Sequence, residues 1–268
     1  MSERKTMLIK AKILRGYQLT SLDGAIGTAK DFLFDDRHWA IRYLVADTGR
    51  WLAARQVLLS PYALGGAAKN DHQLAVHLTK RQIEESPPLE SDRPVSRQFE
   101  TNYYQYYGWP LYWGGQYSWG AFPYIERDRA KWNEYSPGGQ NWDSHLRSVH
   151  EITGYHLHAA DGDLGHVDDV IIDDDTWTIR YLIVDTRNWW PGKKVLISPR
   201  WAERVSWQER KVHVDLARAA IKGSPEYLED SFIGRDYETG LHQHYDRRGY
   251  WLEEDAAKQH AVAGLSRH

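Results

Sequence analysis

The 268-residue chain has no cysteine, only two methionines and a formal net charge of just −3. The lack of cysteine excludes a disulfide scaffold, a thiolate zinc site and a cysteine nucleophile. The near balance of charges argues against the broad basic field of many nucleic-acid-binding proteins. No apolar run approaches the roughly 18 residues of a membrane helix. The N-terminal segment also lacks a small-residue cleavage site, so we expect neither a membrane span nor a signal peptide.

Aromatic residues are abundant instead, with 13 Trp and 17 Tyr. Between Tyr103 and Tyr124, 11 of 22 residues are Trp, Tyr or Phe. If these rings were exposed, their apolar surface would be larger than the exposed apolar patch that a soluble monomer usually tolerates. This segment must therefore pack against something. The alternatives are its own fold, a homodimer or protein partner, and stacking on carbohydrate or single-stranded nucleic acid. Stacking on nucleic acid normally needs neighbouring basic residues, and Gly108–Ile125 has no charged residue.

The sequence repeats itself at a constant offset of 138 residues, because Gly16-Tyr17 returns as Gly154-Tyr155 and Ile41–Leu44 returns as Ile179–Leu182. About 34 identities without a gap relate residues 16–113 to residues 154–251. This pattern indicates a tandem duplication. We therefore predict three regions: a first copy with an aromatic arm at 1–113, an irregular connector rich in aromatic residues and Gly at 114–153, and a second copy with an arm and a tail at 154–268. The connector could contain a short helix around Ile125–Trp132, and the tail after Trp251 could form another.

Each copy reads as short strands followed by a helix. An Asp-Gly pair after the first strand predicts a tight turn, and Ala40–Asp47 and Thr178–Asp185 are rich in residues that favour strands. A short helix, at Thr79–Glu85 or Ala217–Lys222, precedes a Ser-Pro stop. Five or six such strands predict a small barrel or a strongly curled sheet. The expected structural turn residues are Asp23, Gly24, Gly27, Asp161, Gly162 and Gly165.

This pattern resembles the PRC-barrel family. The resemblance rests on Gly-Tyr, Asp-Gly-x-x-Gly, Ile-Arg-Tyr-Leu leading to Asp-Thr, and Val-Leu-(Leu/Ile)-Ser-Pro, and it covers about 16–87 and 154–225. The sequence is similar to the cytoplasmic part of the photosynthetic reaction-centre H subunit, without that subunit's membrane helix. The family also occurs, in related form, in the ribosome maturation factor. The resemblance implies a mainly β protein of two tandem barrels, each followed by a short helix and an aromatic-rich arm. It also implies a docking module with no catalytic residues.

Two groups of residues offer metal-binding chemistry. The first is a carboxylate cluster between Asp161 and Asp175, whose oxygens suit a hard cation but whose spacing is not that of an EF-hand. Its members are Asp161, Asp163, Asp168, Asp169, Asp173, Asp174 and Asp175. The second is a pair of His-x-His motifs, His156/His158 and His242/His244, in which residues two apart would share one face of a strand. Turn, surface and packing roles are the prediction for both groups, so no metal and no cofactor is expected.

The remaining polar residues indicate structure rather than catalysis. Ser60 and Ser198 lack nucleophile-elbow glycines, and Arg42 and Arg180 are expected to form structural ion pairs with the nearby Asp47 and Asp185. We therefore expect a non-enzymatic, cytoplasmic protein-interaction or assembly module, with an unknown protein partner or a homodimer. An RNA- or ribosome-associated factor and a metal-binding regulatory protein are the alternatives. The arms Arg97–Trp113 and Arg235–Trp251 are the expected contact surface, through Tyr107, Trp109, Tyr112, Trp113, Trp119, Tyr245, Tyr250 and Trp251.

Overall fold

The computed structural model describes residues 7–52, 56–68, 71–87, 95–113, 146–186, 192–229 and 231–256. The fold is mainly β, with fourteen strands in two seven-stranded sheets. The predicted fold class is confirmed at this level. Among the described residues, none of the helices combines the length and the apolarity that crossing a bilayer requires.

The first half of the chain contains seven strands and three helices. The strands are β1 (Leu8–Lys10), β2 (Gln18–Ser21), β3 (Gly24–Asp35), β4 (Ala40–Asp47), β5 (Gln56–Leu59), β6 (Leu64–Ala68) and β7 (Gln73–Val76). The helices are α1 (Ala11–Leu14), α2 (Lys80–Glu84) and α3 (Arg97–Tyr107). A 3-10 turn, Pro61–Ala63, joins β5 to β6.

The second half repeats this order. Its strands are β8 (Leu146–Ser148), β9 (His156–Ala159), β10 (Gly162–Asp173), β11 (Ile179–Asp185), β12 (Lys194–Ile197), β13 (Ala202–Ser206) and β14 (Lys211–Val214). Its helices are α4 (Val149–Ile152), α5 (Arg218–Gly223) and α6 (Arg235–His244). Most of these elements begin 138 residues after their counterparts, so the sequence repeat is also a repeat of secondary structure.

The two sheets share one strand order. It is β5-β4-β3-β2-β7-β6 in the first sheet and β12-β11-β10-β9-β14-β13 in the second. In both, neighbours are antiparallel except for one parallel pair, β2 with β7 and β14 with β9. The order places β5 and β6 at the two ends of the first sheet, and β12 and β13 at the ends of the second.

The contacts divide the chain into two units whose boundaries do not follow the repeat. Unit 1 contains residues 1–153 together with Asp169–Arg180, and unit 2 contains Gly154–Asp168 and Tyr181–His268. The end of β10 and the turn after it therefore pack with the first half of the chain.

Two short strands that pair with the other repeat account for the assignment of Asp169–Arg180 to unit 1. The N-terminal β1 pairs antiparallel with the end of β10, Leu8 opposite Asp173, and β8 pairs in the same way with the end of β3, Ser148 opposite Leu33. Each of these three-residue strands therefore extends the sheet formed by the other repeat. The pairing satisfies backbone groups that an open strand end would leave exposed.

One prediction about these segments needs correction, and two helices lie where no secondary structure was predicted. Residues 146–152 form β8 and α4, although the whole connector 114–153 was expected to be irregular. The arms Arg97–Trp113 and Arg235–Trp251 begin with the helices α3 and α6, for which the sequence interpretation assigned no secondary structure. The short helix expected at Ile125–Trp132 lies outside the described residues. In the tail, residues 250–256 are helical.

The core of unit 1 lies between its sheet and its helices. Phe32, Phe34 and Tyr43 are fully buried, and α3 contributes Tyr103 and Tyr104 to the same core. In unit 2, Leu157 of β9, Tyr181 and Leu182 of β11, and Leu241 of α6 are all fully buried. The aromatic helix in each half is therefore part of the fold that contains it.

Candidate functional site

The Asp residue of each predicted turn holds the start of a helix. Asp23 Oδ1 accepts hydrogen bonds from the Ser21 hydroxyl and from the Lys80 amide, each over 2.8 Å. In unit 2, Asp161 Oδ1 accepts the Arg218 amide over 2.8 Å. The Lys80 amide lowers the pKa of Asp23, and the Arg218 amide lowers that of Asp161. These aspartates fix α2 and α5 against the hairpins, which is a structural role.

The glycines of the turn motif divide into two kinds. Gly24 and Gly162 begin the strands that follow the turn, with φ of 131° and 128°. Gly27 and Gly165 lie inside β3 and β10, at a point where the neighbouring strand approaches closely. A Cβ atom there would lie 1.9 Å from the Asp47 carbonyl oxygen and 2.2 Å from that of Asp185. These two glycines therefore serve close packing between strands.

The buried arginines pair with aspartates at the ends of the preceding strands. Arg42 Nη2 lies 3.0 Å from Asp35 Oδ2, and Arg180 Nη2 lies 2.7 Å from Asp173 Oδ2. The expected partners Asp47 and Asp185 are therefore wrong. Asp47 follows Arg42 by five residues, roughly 16 Å along an extended strand, whereas the antiparallel hairpin brings Asp35 back beside it.

The Asp35 pair is almost completely buried, with Arg42 1% and Asp35 6% exposed. Burial raises the pKa of Asp35, but the His38 hydrogen bond and the Arg42 charge outweigh it and hold this pKa well below its usual value. The His38 ring contributes through Nδ1, 3.0 Å from Asp35 Oδ2. The ionised pair is therefore a structural part of unit 1, as the sequence analysis expected for an arginine in this strand.

A buried glutamate joins the aromatic arm of unit 1 to its sheet. Glu100 of α3 is 0% exposed, and its Oε1 accepts the hydroxyls of Tyr43 over 3.1 Å and of Tyr112 over 2.6 Å. The Arg42 guanidinium lies 4.1 Å from the centre of the Tyr112 ring. Burial raises the pKa of Tyr43, so its hydroxyl remains a hydrogen-bond donor. One carboxylate thus links β4, α3 and the residues that follow α3.

The same arrangement recurs in unit 2 with one substitution. Glu238 Oε1 accepts the hydroxyls of Tyr181 over 2.9 Å and of Tyr250 over 2.8 Å. His242 takes the place of Tyr104, with its Nε2 3.2 Å from the Tyr181 hydroxyl. His242 Nδ1 lies 2.9 Å from the Arg248 carbonyl oxygen, which only accepts, so we assign the proton to Nδ1. Burial lowers the pKa of this histidine.

Most residues predicted to form an interface pack inside their own unit. Tyr107, Trp109 and Tyr112 are 8%, 9% and 3% exposed, and Tyr245 and Tyr250 are similarly buried. Burial raises the pKa of Tyr245 to about 12. Trp113 and Trp251 are half-buried, and Trp119 lies outside the described residues. An intermolecular role for these residues stays a prediction.

The carboxylates of the Asp161–Asp175 cluster do not form one group. Besides Asp161 and Asp173, Asp169 accepts the Lys12 amide and Asp174 accepts the Met7 amide. Asp163 contacts His158 and Lys211 instead. The cluster extends from the turn before β10, along the twelve residues of this strand and into the turn after it. Its carboxylates are therefore spread over the length of the strand and over both of its faces.

The two His-x-His motifs have different surroundings. His242 belongs to the buried glutamate cluster, whereas His244 Nε2 contacts the Ala220 carbonyl oxygen over 2.8 Å. His158 Nδ1 lies 2.5 Å from Asp163, and its ring centre is 4.8 Å from that of His213 on the neighbouring strand. Neither motif belongs to a group of three or more metal-binding side chains among the described residues.

A different histidine lies within a group that could hold a metal ion. His166, Asp168 and Asp185 place one ligand atom each within 4.8 Å of one another, and they are the only such group among the described residues. The sequence interpretation included Asp168 in its carboxylate cluster but overlooked His166, two positions earlier on the same strand. Asp185, nineteen residues after His166, joins them only through the fold.

Exposed apolar side chains mark one loop of unit 2. Leu228 and Phe232, between α5 and α6, are 61% and 62% exposed, and Leu252 is 56% exposed. In unit 1 the largest exposed apolar side chain of the described residues is that of Tyr106 at 40%, and Leu22 is the most exposed at 67%. The two large apolar side chains of Leu228 and Phe232 are thus exposed within five residues of each other.

Comparison with known proteins identifies one domain. The family model described as PRC-barrel domain matches residues 147–221. This region begins within β8 and ends within α5, so it contains the second sheet's strands from β9 to β14 together with the turns and glycines described above. No curated protein matches the chain.

Proposed function

We propose that this chain is a non-enzymatic interaction or assembly protein of the cytoplasm, built from two PRC-type barrels. The observation that carries the proposal is the PRC-barrel domain match at residues 147–221. The first half of the chain has the same elements at the same offset, which supports a second barrel of this type there. Small barrels of the family serve as docking modules, as the sequence resemblance implies.

The aromatic arms support this proposal because they stabilise the two units, and the proposal does not require them to contact the partner. Glu100 and Glu238 each receive two tyrosine hydroxyls, so the helices α3 and α6 are held firmly to their sheets. A docking surface carried by such helices and their loops is preorganised, which lowers the entropic cost of binding.

The surface we propose for the partner is the loop containing Leu228 and Phe232. Both side chains are more than half exposed, and the loop is bounded by α5 and by the firmly held α6. Aromatic and aliphatic side chains of this kind are typical of the centre of protein interfaces. The partner is therefore a protein with a complementary apolar surface, and a second copy of this chain is one candidate.

The experiment is affinity capture of the full chain from its own cells after crosslinking, combined with light scattering of the purified protein. The test variant is Leu228→Ser with Phe232→Ser, and the matched control is Leu22→Ser, an exposed leucine on unit 1. We expect a defined protein partner, or a homodimer, that the double variant loses and the control retains. Equal recovery with the double variant contradicts the proposed surface.

The same preparation tests the proposed function itself. A chain that stays monomeric and captures no protein contradicts an interaction module. Salt-sensitive binding of RNA without a protein partner would indicate the nucleic-acid alternative instead.

A further inference from the structure

We propose that His166, Asp168 and Asp185 form a binding site for one divalent transition-metal ion such as zinc. The site lies in unit 2 and borders the loop proposed for the protein partner, because Lys194 contacts both Asp168 and Glu229. Metal binding there does not depend on the proposed interaction function. Its ligands are one imidazole nitrogen and two carboxylate oxygens, a donor set that zinc accepts in proteins.

The spacing of the three ligand atoms fits a single ion. Atoms that all lie within 4.8 Å of one another share a centre no more than about 2.8 Å from each, since the limit is the edge divided by √3. Zinc binds nitrogen and oxygen ligands at about 2.0–2.2 Å. A contraction of about 0.7 Å per ligand, within reach of small side-chain rotations, therefore closes the site.

The backbone places the ligands in fixed positions. His166 and Asp168 are two residues apart on β10, so their side chains emerge on the same face. Asp185 ends β11, and the close approach of Gly165 to its carbonyl oxygen fixes this end of the strand beside β10. Asp185 is 3% exposed. Among the described residues, the His166 ring has no hydrogen-bond partner, so its nitrogens are available to a metal.

A lysine already supplies positive charge at this position. Lys194 Nζ lies 2.9 Å from Asp168 Oδ2 and also contacts Glu229 Oε1. The lysine ammonium thus competes with a metal for Asp168. Because Glu229 is a second acceptor, the ammonium keeps a partner when a metal takes Asp168, and the two carboxylates balance the two charges of the ion.

The first repeat shows what the site looks like without these ligands. Thr28 and Lys30 occupy the positions of His166 and Asp168, and Gln56 occupies that of Lys194. Only Asp47 remains as a counterpart of Asp185. The first repeat therefore supplies substitutions that the fold already tolerates at equivalent positions, and the proposed site is specific to the second repeat.

The test is isothermal titration of the full chain with zinc chloride, supported by the visible spectrum of the cobalt-substituted protein. The chain has 13 histidines, so adventitious binding needs a control. His158→Gln removes a histidine that is paired with Asp163 on the same sheet and leaves the proposed site intact. Thermal melts establish that each variant folds, and Asp168→Asn replaces His166→Thr if the latter does not.

We expect one zinc ion per chain, at least tenfold weaker binding in His166→Thr, and a change of less than twofold in His158→Gln. Lys194→Gln should bind zinc at least threefold more tightly, because the competing charge is gone; a merely structural cluster would not show this gain. Absence of zinc binding, equal affinity in His166→Thr, or loss of binding in His158→Gln alone overturns the proposal.

Discussion

Trp39 and Trp177, 138 residues apart in the chain, adopt the same left-handed backbone conformation, with φ of 56° and 55°. The carbonyl oxygen of each tryptophan accepts a backbone hydrogen bond from the other repeat. The Ile41 amide donates to Trp177 and the Ile179 amide donates to Trp39, both over 2.7 Å. Ala40 and Thr178 form an antiparallel bridge between these bonds. Within unit 1, equivalent turns of the two repeats are therefore joined symmetrically.

The conformation of the two tryptophans has an energetic cost. A non-glycine residue with positive φ is strained by about 1–2 kcal/mol, and Trp177 is 0% exposed with its ring near Phe32. Burial of a ring of this size contributes more than that strain removes. The packed rings and the reciprocal hydrogen bonds together hold the turns in place.

The glycines inside β3 and β10 give a sharp prediction about packing. Gly27→Ala and Gly165→Ala should each lower the free energy of unfolding by about 3 kcal/mol or more, because the new methyl group would overlap a carbonyl oxygen of the next strand. Gly16→Ala is the control, since φ is 88° there but no atom lies within 4 Å of the added Cβ. It should cost only about 1–2 kcal/mol. Urea denaturation measures all three, and equal losses would contradict the close-approach explanation.

The buried glutamates predict matched effects in the two repeats. Tyr112→Phe and Tyr250→Phe each remove one hydrogen bond to a buried carboxylate, so each should cost about 1–3 kcal/mol of folding free energy. Tyr106→Phe is the control, because that tyrosine is 40% exposed and its hydroxyl bonds only to the Gln82 carbonyl oxygen. We expect a change below about 0.5 kcal/mol there. Chemical denaturation measures the free energy of unfolding of all three variants. If Tyr106→Phe loses as much stability as the other two, Glu100 and Glu238 do not have the role assigned to them.

The Asp35–Arg42 pair predicts a dependence of stability on pH. Since the pKa of Asp35 is lower in the folded protein than the roughly 3.9 of an unfolded aspartate, its ionised form stabilises the fold fully above that pH. This stabilisation is lost as the pH falls from about 4 through the folded-state pKa. Asp35→Asn should cost about 3–5 kcal/mol near neutral pH, because it leaves Arg42 buried without its carboxylate.

The measurement is the difference in unfolding free energy between the parent and Asp35→Asn across this range. The difference should be constant above about pH 5 and should narrow as the pH falls below 4. A free-energy difference that does not change below about pH 4 would mean that the pKa of Asp35 is the same in the folded and unfolded states.

The longer strands could be predicted from sequence because their residue composition and the turn residues that flank them both indicate strands. Ala40–Asp47 is a strand as expected, and each Asp-Gly pair lies where the turn ends and β3 or β10 begins. The three-residue strands β1 and β8 could not be predicted, since their sequences Leu-Ile-Lys and Leu-Arg-Ser have no period to read. They are strands because β10 and β3 offer them open ends.

The helices of the arms were missed for a different reason. Their aromatic composition is typical of strands, and it obscured two ordinary boundaries of α3. The Ser96 hydroxyl accepts the Phe99 amide at the start, and Gly108 ends the helix with φ of 66°. The candidate metal group was missed because Asp185 reaches His166 only through tertiary structure, although the His-x-Asp spacing was visible.

Backbone amide exchange of Ile41 and Ile179, followed by nuclear magnetic resonance, tests most directly whether the two repeats are joined within unit 1. Both amides donate to carbonyl oxygens of the other repeat's turn, so both should exchange only through global unfolding, with the same free energy of opening. If either amide exchanges at the rate of an exposed turn while the strands around it stay protected, the two repeats are not joined in this way.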